Sequence, residues 1–110
     1  MIRAVLLALS IVTVRHPYPA DRPAPVAEKI IRDVFPPEMH RWALNVAWCE
    51  SGMRGTARNG RYTGMYQIGP REWAAHKPRP DARITDRRDN ALAALSLYRA
   101  RGPQPWTCKA

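Results

Sequence analysis

Trp48-Cys49-Glu50-Ser51-Gly52 and, a short way on, Gly64-Met65-Tyr66-Gln67-Ile68-Gly69-Pro70 are the stretches that decide how this chain is read. The first closes a run in which Met39, Trp42, Ala43, Val46 and Cys49 recur at steps of three and four, the period of one helical face. That spacing predicts a helix over residues 37–50. Pro37 falls in its first turn, where a missing N–H leaves no bond unmade, and Gly52 supplies a left-handed cap. After the cap the pattern changes. Asn59-Gly60 and Gly64 are turn residues, while Tyr62, Thr63, Met65, Tyr66 and Ile68 favour strand, so a short β-hairpin wing is expected rather than a sheet with its own core. A carboxyl group, Glu50, thus ends an apolar helix where the chain reverses toward the wing.

Working outward, Val26, Ile30, Ile31, Val34 and Phe35 share one helical face, and Pro36-Pro37 stops that helix. Downstream, residues 70–75 predict a short helix opened by Pro70, and residues 77–85 a loop. A longer helix follows, capped by Asp86 or Asp89 and running through Arg101, with Ala91, Leu92, Leu95 and Tyr98 inward and Gly102-Pro103 at its end. Eleven prolines and six glycines are too many for a bundle of helices with short loops. With 110 residues there is room for one domain, and a 45% hydrophobic fraction excludes full disorder. The expected class is α+β, mostly α, with a small hairpin wing.

The N-terminus has the layout of a secretory signal: Met1-Ile2-Arg3, then eleven mostly apolar residues from Ala4 to Val14. As a helix these span roughly 16 Å, too short to cross a bilayer core, so no membrane span is expected. A signal ending at Ala20 puts Tyr18 where a small residue is preferred, and the alternative is an N-terminal helix or strand belonging to the domain. The expected organisation is a signal-like segment over 1–20, a Pro-rich linker over 21–25 whose character begins at residue 15, and a domain over 26–110. Two cysteines, Cys49 and Cys108, belong to no CxxC pair, and His16, His40 and His76 are scattered, so a metal site is not expected. In an exported chain the even pair reads as one disulfide; in a chain kept inside, as two buried thiols.

Glu50 is the residue placed for chemistry. A carboxyl among apolar walls holds its proton to higher pH, which a general acid near neutrality requires; the plain alternative is a solvated helix end. The surrounding residues extend this. Trp48-Cys49-Glu50-Ser51-Gly52, Asn59-Gly60-Arg61-Tyr62-Thr63-Gly64-Met65-Tyr66-Gln67-Ile68, Trp73-Ala74-Ala75-His76 and Pro105-Trp106-Thr107-Cys108 resemble the catalytic domain of resuscitation-promoting factors. The run from Gly64 to Pro70, and Asn90 with Tyr98, also resemble soluble lytic transglycosylases. Two departures stand beside the likeness: Met53-Arg54, where resuscitation factors carry glycine and an aromatic, and residues 102–106, where many soluble transglycosylases have a tyrosine-containing segment.

The resemblance implies a lysozyme-like fold, Glu50 as catalytic acid and peptidoglycan glycan as substrate, in a protein of the cell envelope or of a virion. It also implies that Gln67 bonds an amino-sugar substituent, with Thr63 beside it. Tyr62, Tyr66, Trp73 and Trp106 would offer faces for sugar rings, although core packing is an equal expectation for Trp73 and Trp106.

Hydrolases of this kind use two carboxyls, about 5 Å apart when retaining and roughly 6.5–9.5 Å apart when inverting. No Asp or Glu lies between Glu50 and Glu72, and Glu72, Asp81, Asp86 and Asp89 read as solvated or capping. A lone acid suits a lytic transglycosylase cleaving the β-1,4 bond between N-acetylmuramic acid and N-acetylglucosamine, as a monomer with no cofactor. Two other classes remain open: a glycan-binding domain of the same fold without activity, and a basic nucleic-acid-binding module. The net charge of +9 and the arginines at 54, 58 and 61 and at 83, 87 and 88 suit the module, yet no helix carries an evident set of base-reading residues. Specific nucleic-acid binding is therefore not expected.

Overall fold

The computed structural model describes Tyr18 and residues 24–108. Apart from Tyr18, the signal-like segment lies outside the described residues, as does most of the linker. Among the described residues there are four α-helices and one two-stranded antiparallel sheet: α1 (Pro25–Val34), a 3₁₀ turn (Pro37–Met39), α2 (His40–Ser51), β1 (Arg58–Asn59), β2 (Tyr62–Thr63), α3 (Pro70–His76) and α4 (Arg87–Arg101). The protein is thus mostly helical with a small β element, as its composition and periodicity imply. Among the described residues no helix is long and apolar enough to cross a membrane.

Local chemistry sets the boundaries. Pro25 and Pro70 stand in the first turns of α1 and α3, where their missing N–H is harmless. Gly52 ends α2 with φ +66°, and its N–H reaches back to the carbonyls of Ala47 and Trp48. Asp86 caps α4, its carboxylate accepting from the Asp89 N–H. The helix expected over 37–50 begins instead as a 3₁₀ turn and becomes α-helical at His40.

In α1 the expected apolar face is rotated. Ala27, not Val26, takes the buried position of the first turn, leaving Val26 65% exposed while Ile31 and Phe35 are fully enclosed. One residue is about 100° of rotation, so both cannot face inward. The α1 helix packs against α2 and α4, and α3 packs on α4. Ala43, Val46, Ala47, Ala91, Ala93 and Ala94 are inaccessible, and these small side chains let the helices approach closely around larger ones. At the centre is an aromatic group: Trp42 lies parallel to Tyr66 (9° between planes) and meets Tyr98 and Trp106 edge-on at 4.7 and 5.1 Å.

The wing is shorter than the β-favouring residues suggest. Asn59 pairs with Tyr62 and Arg58 with Thr63 around a two-residue turn, and Gly60 takes φ +65° at its first position. The chain then reverses again. Thr63 and Ile68 bridge each other, and residues 64–67 form a tight turn with Gly64 at φ +91° and Gln67 at φ +52°. Met65 and Tyr66 therefore point into the core as turn residues rather than extending a strand.

Tyr18 belongs to the domain. Its ring packs edge-on against Trp48 at 5.7 Å, its N–H donates to Asn45 Oδ1 at 2.8 Å, and its hydroxyl accepts from the Ala24 N–H at 3.0 Å. Tyr18 thus contacts the domain from within the segment read as signal-like.

Candidate active site

Glu50 lies one residue from the end of α2, half-buried, with the adjacent Cys49 joined by a disulfide to Cys108. The bond brings the C-terminal segment against the helix end, and the Cys108 N–H donates to Glu50 Oε2 at 3.3 Å. On the other side, Ser51 is buried; its hydroxyl donates to the Met65 carbonyl at 2.7 Å, with the Ala47 carbonyl at 3.1 Å as alternative acceptor. The tight turn of residues 64–67 is thereby fixed to the helix that carries the carboxyl.

Asn90 on α4 holds the same turn from behind. Fully buried, it accepts from the Tyr66 N–H at 2.7 Å and donates to the carbonyls of Thr63 and Ile84 at 3.2 and 2.9 Å. Gly64 packs directly on it: a Cβ there would run into the Asn90 amide and stand 2.6 Å from the Ile84 carbonyl oxygen. From the C-terminal side Trp106 Nε1 donates to the Tyr66 carbonyl at 2.9 Å. Helix end, wing turn, α4 and C-terminal segment therefore form one hydrogen-bonded unit around the residues singled out from the sequence.

Gln67 is buried, and its Nε2 donates to the carbonyls of Ala57 and Gly64 at 3.1 Å each, which braces the wing. The same side chain lines a cleft of about 570 Å³ together with Tyr62, Glu72, Trp106 and three arginines, Arg61, Arg71 and Arg101. Thr63 is buried beside it. Glu50 is not among the residues lining this cleft; it stands at the helix end tied to Cys108, two residues beyond Trp106.

Of the four expected sugar-stacking rings Tyr66 is corrected, and Trp106 takes its alternative place in the core. Tyr66 is wholly enclosed and its hydroxyl donates to the Ala43 carbonyl at 2.8 Å, so it has no face to offer; burial alone pushes its phenol well above the usual tyrosine range. Trp106 is 1% exposed and meets the cleft only as covered floor. Trp73 is half-buried on α3, packs against the core and does not line the cleft. Tyr62 alone of the four is half-exposed within it.

Other side chains depart from their sequence readings. Glu72, read as solvated or capping, lines the cleft and faces Arg101 at 3.8 Å. Asp89 is buried rather than solvated and takes a bidentate pair from Arg79 at 2.7 and 3.0 Å, plus the Arg83 N–H at 2.9 Å. Burial works to raise its pKa, and these donors outweigh it, leaving the carboxyl below the usual aspartate range. In the two basic clusters Arg54 and Arg87 donate their Nε to the carbonyls of Ser51 and Met53, and Arg88 pairs with Asp33. Among the described residues no three His, Cys, Asp or Glu side chains gather where a metal ion could be held.

No family model matches the chain, and no curated protein or solved structure matches it either.

Proposed function

We propose that the protein is an exported peptidoglycan-cleaving enzyme of lysozyme-like fold, acting on the β-1,4 bond between N-acetylmuramic acid and N-acetylglucosamine as a lytic transglycosylase. The observation that carries this reading is the fixed position of Glu50. A disulfide at the adjacent Cys49 and the Cys108 amide hold its carboxyl at a half-buried helix end, and Ser51 ties that helix end to the turn that bears Gln67. A general acid needs this kind of restraint, because proton delivery depends on a group held within hydrogen-bond reach of the leaving oxygen.

In the proposed reaction Glu50 gives its proton to the glycosidic oxygen as the bond to the anomeric carbon breaks. The 2-acetamido group of the same sugar assists at that carbon. Glu50, now a carboxylate, takes the proton of the sugar's own 6-hydroxyl, whose oxygen closes the 1,6-anhydro ring. Atoms and charge balance with a single enzyme carboxyl and no water. Of the other carboxylates, Glu28, Asp33, Asp81 and Asp89 pair with arginine or lysine, Asp86 caps α4, and Glu72 lines the cleft facing Arg101, which makes it the residue to test as a second acid. Tyr62 is the ring positioned to meet a sugar, and Gln67 the amide at the cleft wall.

The test is digestion of purified peptidoglycan followed by mass spectrometry of the soluble products. Anhydro-ended muropeptides support the reading; reducing ends alone replace it with hydrolysis. Absence of any product leaves a glycan-binding domain in its place. Glu50→Gln keeps the shape and removes the acidic proton, so activity should fall by about 10²–10⁴-fold. An equal loss in correctly folded Glu72→Gln would point to a paired-carboxylate hydrolase instead.

A further inference from the structure

Three guanidinium groups and one carboxylate line the cleft at Gln67, and they arrive from separate elements: Arg61 from the hairpin turn, Arg71 from α3 and Arg101 from the last turn of α4. Arg101 faces Glu72. The Arg61 and Arg71 side chains, like those of the exposed Arg41, Arg58 and Arg99, make no hydrogen bond or ion pair among the described residues, but unlike those three they line the cleft. Fold stability gives no reason for Arg71, since a cation in the first turn of a helix opposes the helix dipole. Convergent cations in a concave site focus the field and favour an anion, and the planar guanidinium matches a carboxylate with two parallel hydrogen bonds.

We infer that this cleft binds carboxylate groups carried by the glycan, so that the enzyme selects charged strands over bare neutral sugar. The inference rests on the peptidoglycan reading and adds a specificity determinant to it: Arg61 and Arg71 grip the substrate's acid groups, and the Arg101–Glu72 pair borders them. Such carboxylates have two sources, the peptide stems and, once these are removed, the lactyl group of the muramic acid.

The experiment measures binding of the full chain, carrying Glu50→Gln to prevent turnover, to four insoluble polymers: intact peptidoglycan, peptide-stripped glycan, peptidoglycan whose carboxyls have been converted to amides, and chitin. Arg61→Gln with Arg71→Gln should weaken binding to intact peptidoglycan at least tenfold and leave binding to the amidated polymer and to chitin within twofold. A matching loss on peptide-stripped glycan assigns the lactyl carboxylate; loss on intact material alone assigns the stems. Arg41→Gln with Arg99→Gln makes the same change in net charge at exposed positions outside the cleft and should cost less than twofold. Equal losses from the two pairs, or a loss that persists on amidated polymer, would overturn the inference. If wild-type protein releases no muropeptides while the binding pattern holds, the cleavage reading fails and the carboxylate site stands.

Discussion

Replacing Asn90 by alanine tests whether one side chain holds the wing turn in place. The amide makes three hydrogen bonds in a site closed to water, one accepted from Tyr66 and two donated to Thr63 and Ile84. Each contributes about 0.5–1.5 kcal/mol net, and Asn90→Ala leaves a buried N–H and two carbonyls short of a partner. The expected loss is about 2–4 kcal/mol, a large share of what a domain of this size possesses. In a thermal melt it corresponds to a Tm lower by roughly 8–30 °C. Asn90→Asp separates the parts: it keeps the acceptor for Tyr66 but sets carboxylate oxygens against two carbonyls. At neutral pH that variant should be at least as unstable as the alanine variant. It should regain stability as pH falls, because the protonated acid can donate again. Urea denaturation, disulfide intact throughout, provides the measurement. A loss below about 0.5 kcal/mol for Asn90→Ala, with the m-value unchanged, would refute the account of the turn.

Gly64→Ala should cost about 2–6 kcal/mol, combining left-handed strain with a clash against Asn90 and Ile84, while Gly60→Ala, with nothing within 4 Å, should cost about 1–2 kcal/mol; denaturant titration of both decides it. Cys108→Ser should lower stability by about 4 kcal/mol in the chain-entropy treatment of a 59-residue separation, and reductant should then have no further effect on its unfolding curve. The carboxyl of Asp89 titrates below the ordinary value, so its stabilisation is present above about pH 4 and is lost as pH falls through its native pKa. Asp89→Asn should therefore be less stable at pH 7 and show a shallower decline between pH 5 and 2, read from melts across that range.

The elements that were legible in the sequence are those marked by local stereochemistry. Pro70 at a first turn, Gly52 at a left-handed cap and Asp86 at an N-cap each declare themselves through one residue's backbone or side chain, whereas Pro25, which reads as linker, opens α1. The disulfide was legible from an even cysteine pair. The rotation of α1 was not, because Val26 and Ala27 are both apolar and only the packing of α1 on α2 and α4 chooses between them. The early end of β2 was hidden too: Gln67 at φ +52° is an unusual conformation for a side-chain-bearing residue, sustained by tertiary bonds from Ser51, Asn90 and Trp106 to the turn. For the candidate site, Glu50 and Gln67 followed from motif and order, whereas the arginine lining did not. Positions 61, 71 and 101 are far apart in the chain and meet only through the fold.

The covalent tie between Cys49 and Cys108 also imposes an order in time. At about 5–20 residues per second, the ribosome delivers Cys108 some 3–12 s after Cys49. During that interval Glu50 has been synthesised but neither the amide that contacts it nor the Trp106 indole that holds the wing turn exists. The surroundings of Glu50 are therefore completed only at the end of synthesis, and a chain stalled before residue 108 carries this carboxyl without the segment that contacts it.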